Sequence, residues 1–403
     1  MRRALLIASS LAIVAGSANA QDQITLQFWD NQQTESGLSE YQRAAVERFE
    51  EENPDINVEV TTIPYPEYQQ RLLTAVQGGN APDVATLDQI WVGAFAESGS
   101  ILALDEMAAE AGVEADTFFP GAWESANYGG QLWGIPFNVD VWSFGFYNKA
   151  LFDEAGIDPE STVTWEGLRN AAAALTGDGR FGIGLFAGRG EDTVVALDSF
   201  IFSNGGRVLA EDGSCALDEA PAVEALEYIA SLAPYAPAGI LNSNSGSMRE
   251  LFLNGSLAME LWPALEQPTL QKSDLDWGFV VGFAPEGKTP VGAYGGWNLA
   301  IFESSEHQEA AWKFIEFMTR EDVNGDVVDL IPANVNAAEV FLEENRVGPD
   351  RILDHLNNAQ PRPVSPRYLE ISDIQVTMFQ DVFQGVEPQE AADKACTAID
   401  ALG

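Results

Sequence analysis

Between Ile24 and Leu87 the chain alternates short apolar runs with longer periodic ones, and no other sequence feature limits the fold as much. Ile24-Thr-Leu-Gln-Phe-Trp29 has the composition of a buried strand. Ser39 and Gln42 have capping-box spacing, and Tyr41, Ala45 and Phe49 then recur at helical intervals until Asn53-Pro54 ends the helix. Ile56, Val58 and Val60 alternate as a second strand. Pro66 opens a helix carrying Tyr68, Leu72, Leu73 and Val76, which stops at Gly78-Gly79 before a third strand, Asp83-Val-Ala-Thr-Leu87. Two successive strand–helix–strand units call for a parallel, doubly wound sheet with right-handed crossovers. Such sheets place ligands beyond the carboxyl ends of their strands, here Asp30-Asn31-Gln32 and Asp88.

From Tyr128 the pattern changes. Turn glycines lead into an extended run through Val141-Trp-Ser-Phe-Gly-Phe-Tyr147, which reads as a crossing into a second region. That region has helix signals over Trp165 to Leu175 and Pro221 to Leu232, and strand signals over Gly182 to Phe186 and Trp277 to Phe283. A second glycine-rich crossing at Pro290 to Gly296 precedes a strand at Leu299 to Phe302 and a helix from Ser305 to Met318. A third break falls at Ile331-Pro332, and the remainder is helical, from Ile371 to Phe383 and from Pro388 to Ala401, interrupted by Gly385.

Composition narrows the class. The net charge of -42 works against nucleic-acid and anionic-membrane partners, while 46% hydrophobic content suffices for a core and excludes a disordered acidic tail. Arg2 and Arg3, an apolar run from Ala4 to Ala15, and Ala18-Asn19-Ala20 form a signal peptide over residues 1–20, so the expected location is the periplasm. The two cysteines, Cys215 and Cys396, are candidates for a disulfide in that oxidising compartment; the competing reading is two separate buried thiols, Cys396 lying on an apolar stripe with Ala392 and Ile399.

Apparent catalytic motifs dissolve in context. Gly282 to Thr289 fits the phosphate-loop spacing, but Pro285 lies inside it and no helix signal follows. Gly177-Asp-Gly179-Arg-Phe-Gly182 runs into a strand signal rather than the helix a dinucleotide site needs. His307 and His355 are isolated, so no metal site is expected, nor any cofactor, and no Gly-x-Ser-x-Gly elbow exists. Paired carboxylates carry no weight in a chain with 62 acidic residues.

Tryptophan is the remaining unusual feature. Trp91, Trp262 and Trp297 occupy segments without helical periodicity, whereas Trp165 and Trp312 sit on apolar helix faces and belong to the core. Flat rings cover the C–H face of a sugar while carboxylates and amides such as Asn31, Gln32, Asp88, Asn138 and Asp140 bind its hydroxyl rim. Each tryptophan taken alone reads more readily as a core residue than as a ligand contact, by about two to one.

Ordered motifs now add a resemblance. They include Leu26-Gln-Phe-Trp-Asp-Asn31, Phe49-Glu-Glu-Glu-Asn-Pro-Asp-Ile56, Gly79-Asn-Ala-Pro-Asp-Val84, Leu132-Trp-Gly-Ile-Pro136, Tyr147-Asn-Lys-Ala-Leu-Phe152, Phe252-Leu-Asn-Gly-Ser-Leu-Ala-Met259 and Gly295-Gly-Trp297. Together they resemble the family 1 extracellular solute-binding proteins, the maltose/trehalose-type receptors of carbohydrate ABC importers. The resemblance implies an α/β, two-lobed periplasmic binding protein fold (type II) with three hinge crossings and the ligand in the interlobe cleft. The lobes would be 21–137 plus 292–331 and 138–291 plus 332–403. Carried over by position, it implies ligand contacts from Asn31, Gln32, Asp88, Asn138, Asp140, Trp262, Gly296, Trp297 and Arg362. Phe137-Asn138 stands where many disaccharide binders have a tyrosine, which leaves the exact sugar open.

The expected function is ligand capture by hinge closure and delivery to ABC permease subunits with a cytoplasmic ATPase, by a monomer that catalyses nothing. Two alternatives remain at this level. One is a receptor for a polyol, glycerol phosphate or sulfonated sugar, with Arg362, Arg367, Arg43 or Arg71 as the cation; the other is a periplasmic carbohydrate-active enzyme.

Overall fold

The central strand β1 (Ile24–Asp30) lies between β2 (Ile56–Thr62) and β3 (Val84–Asp88) and runs parallel to both, in register with β2 from Ile24↔Ile56 to Asp30↔Thr62. Helix α1 (Ser39–Glu52) connects β1 to β2, and α2 (Tyr65–Gly78) connects β2 to β3. The computed structural model describes residues 23–31, 39–328 and 330–403; the expected signal peptide and Gln32 lie outside the described residues. Phe28 of β1 and Phe49 of α1 both meet the Phe314 ring edge-on, at 5.2 and 5.1 Å, which fixes the helix on the sheet. Gln42, read as half of a capping box, sends its amide to the buried Asp30 carboxylate at 3.1 Å.

Downstream come β4 (Ile135–Asn148), α3 (Glu191–Ser203), β5 (Met259–Pro263), β6 (Trp277–Val281), β7 (Ala293–Ile301), β8 (Ile331–Pro332), β9 (Gln360–Pro361), α4 (Tyr368–Phe383) and α5 (Pro388–Asp400). These nine strands share one sheet, in the order β8-β4-β7-β3-β1-β2, with β9 added to β7 and both β5 and β6 added to β4; Asn127–Tyr128 and Gln131–Leu132 form a separate two-stranded hairpin.

Strand β4 changes neighbours along its length. Its first part pairs with β7, and beyond an irregularity at Ser143 the stretch from Phe144 onward pairs with β5 and β6. Ser143 has a φ of 121°, a conformation rare for a residue with a Cβ, and its hydroxyl lies 3.2 Å from His355 Nε2. Asn138 is register-paired with Trp297 on one side and Pro332 on the other. The three segments that read as crossings are therefore hydrogen-bonded neighbours. Gly292 is required here by close packing: a Cβ would fall 2.2 Å from Val141 Cγ2.

A second apolar core packs α3, α4 and α5 against the helices Trp165–Leu175 and Ala220–Leu232. Trp165 stacks on Tyr228 at 4.3 Å, and Trp312 is buried on its helix, as their spacing indicates. Cys215 and Cys396 are bonded, which ties α5 to a loop 181 residues earlier in the chain.

Three local readings change. Gly182 to Phe186 is no sheet strand but bends at Gly182 and Ile183; it lies beside β5, with Gly184 so close that a Cβ would fall 2.0 Å from Glu260 Oε2. The helix before Met318 starts at Gln308, with Ser305 Oγ accepting from His307 N–H at 3.1 Å. Helix α3 had no counterpart in the periodicity, because its last eleven residues are all buried and no polar face marks a stripe. Gly282 to Thr289 is a loop between β6 and β7, as Pro285 within it and Pro290 after it indicate, and Lys288 Nζ donates to the Asn204 carbonyl at 2.8 Å.

Candidate functional site

A cavity of about 610 Å³ opens at the carboxyl ends of β1 and β3, where Asn31 and Asp88 emerge from the sheet. From β4 and β7 it receives Asp140, Trp142, Gly295, Gly296 and Trp297; the first turns of α3 give Glu191, Asp192 and Val195. The facing wall includes Leu265, Lys272, Phe341 and Arg346, and Arg362 follows β9 into the same space. The volume lies within the usual range for small-molecule sites.

The aromatic part is ordered by mutual packing. Trp297 meets Tyr65 edge-on at 5.7 Å and Trp91 edge-on at 5.6 Å, while Tyr65 and Trp91 are stacked at 5.9 Å. Trp91 is thereby a buttress behind the two rings that reach the cavity. Gly296 has a φ of 150°, and a Cβ there would meet the Asn138 carbonyl oxygen at 2.4 Å, so only glycine allows β7 to lie this close to β4.

The polar part centres on Arg362, a buried guanidinium. Its Nη1 donates to Glu191 Oε1 at 2.6 Å, its Nε donates to the Tyr294 carbonyl at 3.2 Å, and Nη2 lies 3.6 Å from Asp88 Oδ1. Burial opposes the charge on Arg362, but Tyr368, Glu191 and Asp88 reverse that and hold its pKa above the ordinary value. Burial pushes Asp88 up to about 6 against the opposing pull of Arg362. Tyr65 donates to Asp88 Oδ2 at 3.3 Å and Ile90 N–H donates to Oδ1 at 3.3 Å. Asp140 is pushed up to about 7 by burial, partly offset by the N–H groups of Val141 and Leu265 at 2.7 and 2.8 Å.

Of the residues expected in the site, Asn31, Asp88, Asp140, Gly296, Trp297 and Arg362 line this one cavity. Asn138 is buried in the sheet and Trp91 sits behind Trp297. Trp262 requires a correction. It is 0% exposed on an entirely buried strand, edge-on to Phe252 at 5.5 Å, with the Arg249 guanidinium 5.8 Å from its ring centroid. It is core, because β5 is covered on both faces and offers no side chain to solvent. Among the cations weighed from sequence, Arg362 alone reaches the cavity; Arg43, Arg71 and Arg367 are exposed elsewhere.

Tyr65, Trp142, Glu191, Asp192, Lys272 and Arg346 were not foreseen. Trp142 lay within the recognised crossing and Tyr65 directly before the proline of α2, so aromatic residues beside chain breaks were an available signal. Glu191 had none.

Residues 31–325 match the family of bacterial extracellular solute-binding proteins. The chain belongs to that family. A protein of Brucella abortus (strain 2308), named only as a binding protein, is 26% identical over 367 residues, covering 88% of this chain and 87% of that relative. The sn-glycerol-3-phosphate-binding periplasmic protein UgpB of Escherichia coli (strain UTI89 / UPEC) is 30% identical over 267 residues, 62% of this chain and 59% of UgpB. Among solved structures, an ABC transporter solute-binding protein of Thermotoga lettingae TMO, bound with α-D-tagatose, superposes with a TM-score of 0.79 at 28% identity, covering 94% of this chain and all of the other. The sugar-binding protein MalE of Xanthomonas citri superposes with a TM-score of 0.81 at 24% identity, over 94% of this chain and 98% of MalE, and shows the shared fold. The solute-binding protein described here thus has the two-lobed α/β build that the motifs implied.

Proposed function

We propose that this solute-binding protein is the periplasmic receptor of an ABC importer for a neutral carbohydrate, a disaccharide or short oligosaccharide. The observation that carries this reading is the pairing, in one cavity of about 610 Å³, of the Tyr65 and Trp297 rings with Asn31, Asp88, Asp140 and Arg362. Rings take the apolar face of a sugar, and carboxylate, amide and guanidinium groups take hydroxyls as acceptors and donors. The tagatose bound by the Thermotoga lettingae relative supports the same ligand class.

The cavity wall combines groups from β1, β3, β4, β7, α3 and the Arg362 segment. A ligand touching all of them favours the closed arrangement, because only closure makes both sets of contacts. The closed form would then be presented to membrane permease subunits coupled to a cytoplasmic ATPase, with the receptor acting as a monomer without turnover.

Relationship to UgpB, together with Lys272 and Arg346 on the cavity wall, supports a second reading as a glycerol phosphate or polyol receptor. It ranks behind because Asp88, Asp140, Glu191 and Asp192 line the same space. A thermal-shift screen over neutral mono-, di- and oligosaccharides, polyols and sugar phosphates tests both readings, since a ligand selective for the folded state raises the melting temperature by mass action. A neutral saccharide should give the largest shift, with a change in tryptophan fluorescence and no released product. A screen in which no saccharide shifts the transition would overturn the proposal.

A further inference from the structure

Glu191 opens α3 at the cavity and is fixed from behind by α4: Ser372 Oγ donates to its Oε2 at 2.6 Å, and the Tyr368 hydroxyl donates to Oε1. The same Oε1 receives Arg362 Nη1 at 2.6 Å. Each guanidinium nitrogen therefore already faces an oxygen: Glu191 on Nη1, the Tyr294 carbonyl on Nε and Asp88 beside Nη2. Arg362 is 5% exposed, so water screens this cluster little. Two carboxylates against one guanidinium leave the trio net negative, and across the whole cavity Asp88, Asp140, Glu191 and Asp192 outnumber the cations Lys272, Arg346 and Arg362 by one.

From this arrangement we infer that Glu191 is a specificity-determining residue that sets the charge of the accepted ligand. It occupies Arg362 and so selects a neutral, polyhydroxylated solute over its phosphorylated or carboxylated counterpart. Arginine is the side chain best shaped to grip a phosphate or carboxylate through paired N–H donors. Here one nitrogen of each paired edge is already engaged, Nη1 by Glu191 Oε1 and Nε by the Tyr294 carbonyl. An entering anion has to displace a carboxylate held by two other hydroxyl donors, and it meets the remaining negative charge at short range. A neutral hydroxyl meets no like-charge repulsion, and it can donate to Asp88 or Glu191 instead of displacing them, which an anion with acceptor oxygens alone cannot do.

The inference rests on the carbohydrate reading, and titration calorimetry can separate the two. The probes are the neutral sugar giving the largest thermal shift, the 6-phosphate of that sugar, and its uronate. Wild type should bind the neutral form at least about tenfold more tightly than either anion, as expected for a like charge a few ångströms away in a weakly screened site. Glu191→Gln keeps the shape and an acceptor oxygen but removes the charge, and should shrink the neutral-to-anion affinity ratio by about tenfold or more. Glu191→Asp retains the charge and should retain most of the discrimination, an outcome that a purely structural role for the side chain would not produce. Should Glu191→Gln fail to fold, Asp88→Asn removes the other counter-charge and should shift the same ratio in the same direction.

An unchanged ratio in a folded charge-neutralised variant overturns the inference while leaving the carbohydrate reading intact. So does a wild type that binds the phosphate as tightly as the neutral sugar. Absence of binding to every neutral sugar overturns the carbohydrate reading, and the inference falls with it.

Discussion

The Ser199 hydroxyl lies 3.1 Å from the Trp142 carbonyl oxygen, within donating distance of β4, and accepts the Ala293 N–H of β7 at 3.1 Å. One turn later Ser203 Oγ meets both the carbonyl and the N–H of Val291, at 3.1 and 2.9 Å. Helix α3 thus presents Glu191, Asp192 and Val195 to the cavity at one end and holds the two longest strands of the sheet at the other. Ser199→Ala should lower stability by about 1–2 kcal/mol, since a buried N–H loses its acceptor. Urea denaturation checks this, and an unchanged midpoint would show that the contact contributes nothing net.

Two tryptophans expected in the same role should behave differently. Trp297→Ala should weaken sugar binding by about 1–3 kcal/mol, because its ring lines the cavity. Trp262→Ala should instead lower stability by about 3–5 kcal/mol, since truncating a fully buried indole leaves a void. Calorimetry and chemical denaturation run on both variants separate the two outcomes; equal losses of affinity at equal stability would contradict the assignment.

Buried carboxylates set the direction of the pH response. Burial pushes Asp198 up to about 8, although Gln375 Nε2 donates to its Oδ1 at 2.7 Å. Its folded-state pKa exceeds the unfolded one, so folding takes up a proton between the two. The contribution is complete below about 4 and declines as pH rises toward about 8, by at most about 1.4 kcal/mol per pH unit. Asp140, raised to about 7, acts in the same direction. Melting temperature should therefore fall from pH 5 to pH 8, and Asp198→Asn should flatten that slope. A variant with the wild-type slope would exclude Asp198 as a contributor.

The Cys215–Cys396 bond closes a loop with a sequence separation of 181 residues. The Cys215 N–H also donates to Asp400 Oδ1 at 2.8 Å, so the same segment is held to α5 twice. Removing the bond by Cys215→Ser with Cys396→Ser should cost about 3–5 kcal/mol, mostly through a freer unfolded chain. Denaturation of the double variant, beside wild type with and without reductant, reads this directly.

Much of the architecture is written along the chain itself. The parallel β1–β3 unit follows from local periodicity, and the glycine-rich crossings, the rejected phosphate loop and the core positions of Trp165 and Trp312 follow from breaks and stripes within a few residues. Cavity positions such as Asn31 and Asp88 were equally accessible, because strand ends mark where a doubly wound sheet opens.

Tertiary structure alone decided which tryptophan is wall and which is core. Trp262 and Trp297 both lie on strands, and only the layers packed over β5 and β7 make their surroundings differ. The same holds for the charge of the cavity. Glu191 and Arg362 are 171 residues apart, and α3 lacks a polar stripe that would announce it. Periodicity records a residue's neighbours along the chain, whereas an ion pair between distant segments exists only once the sheet and its helices have brought them together.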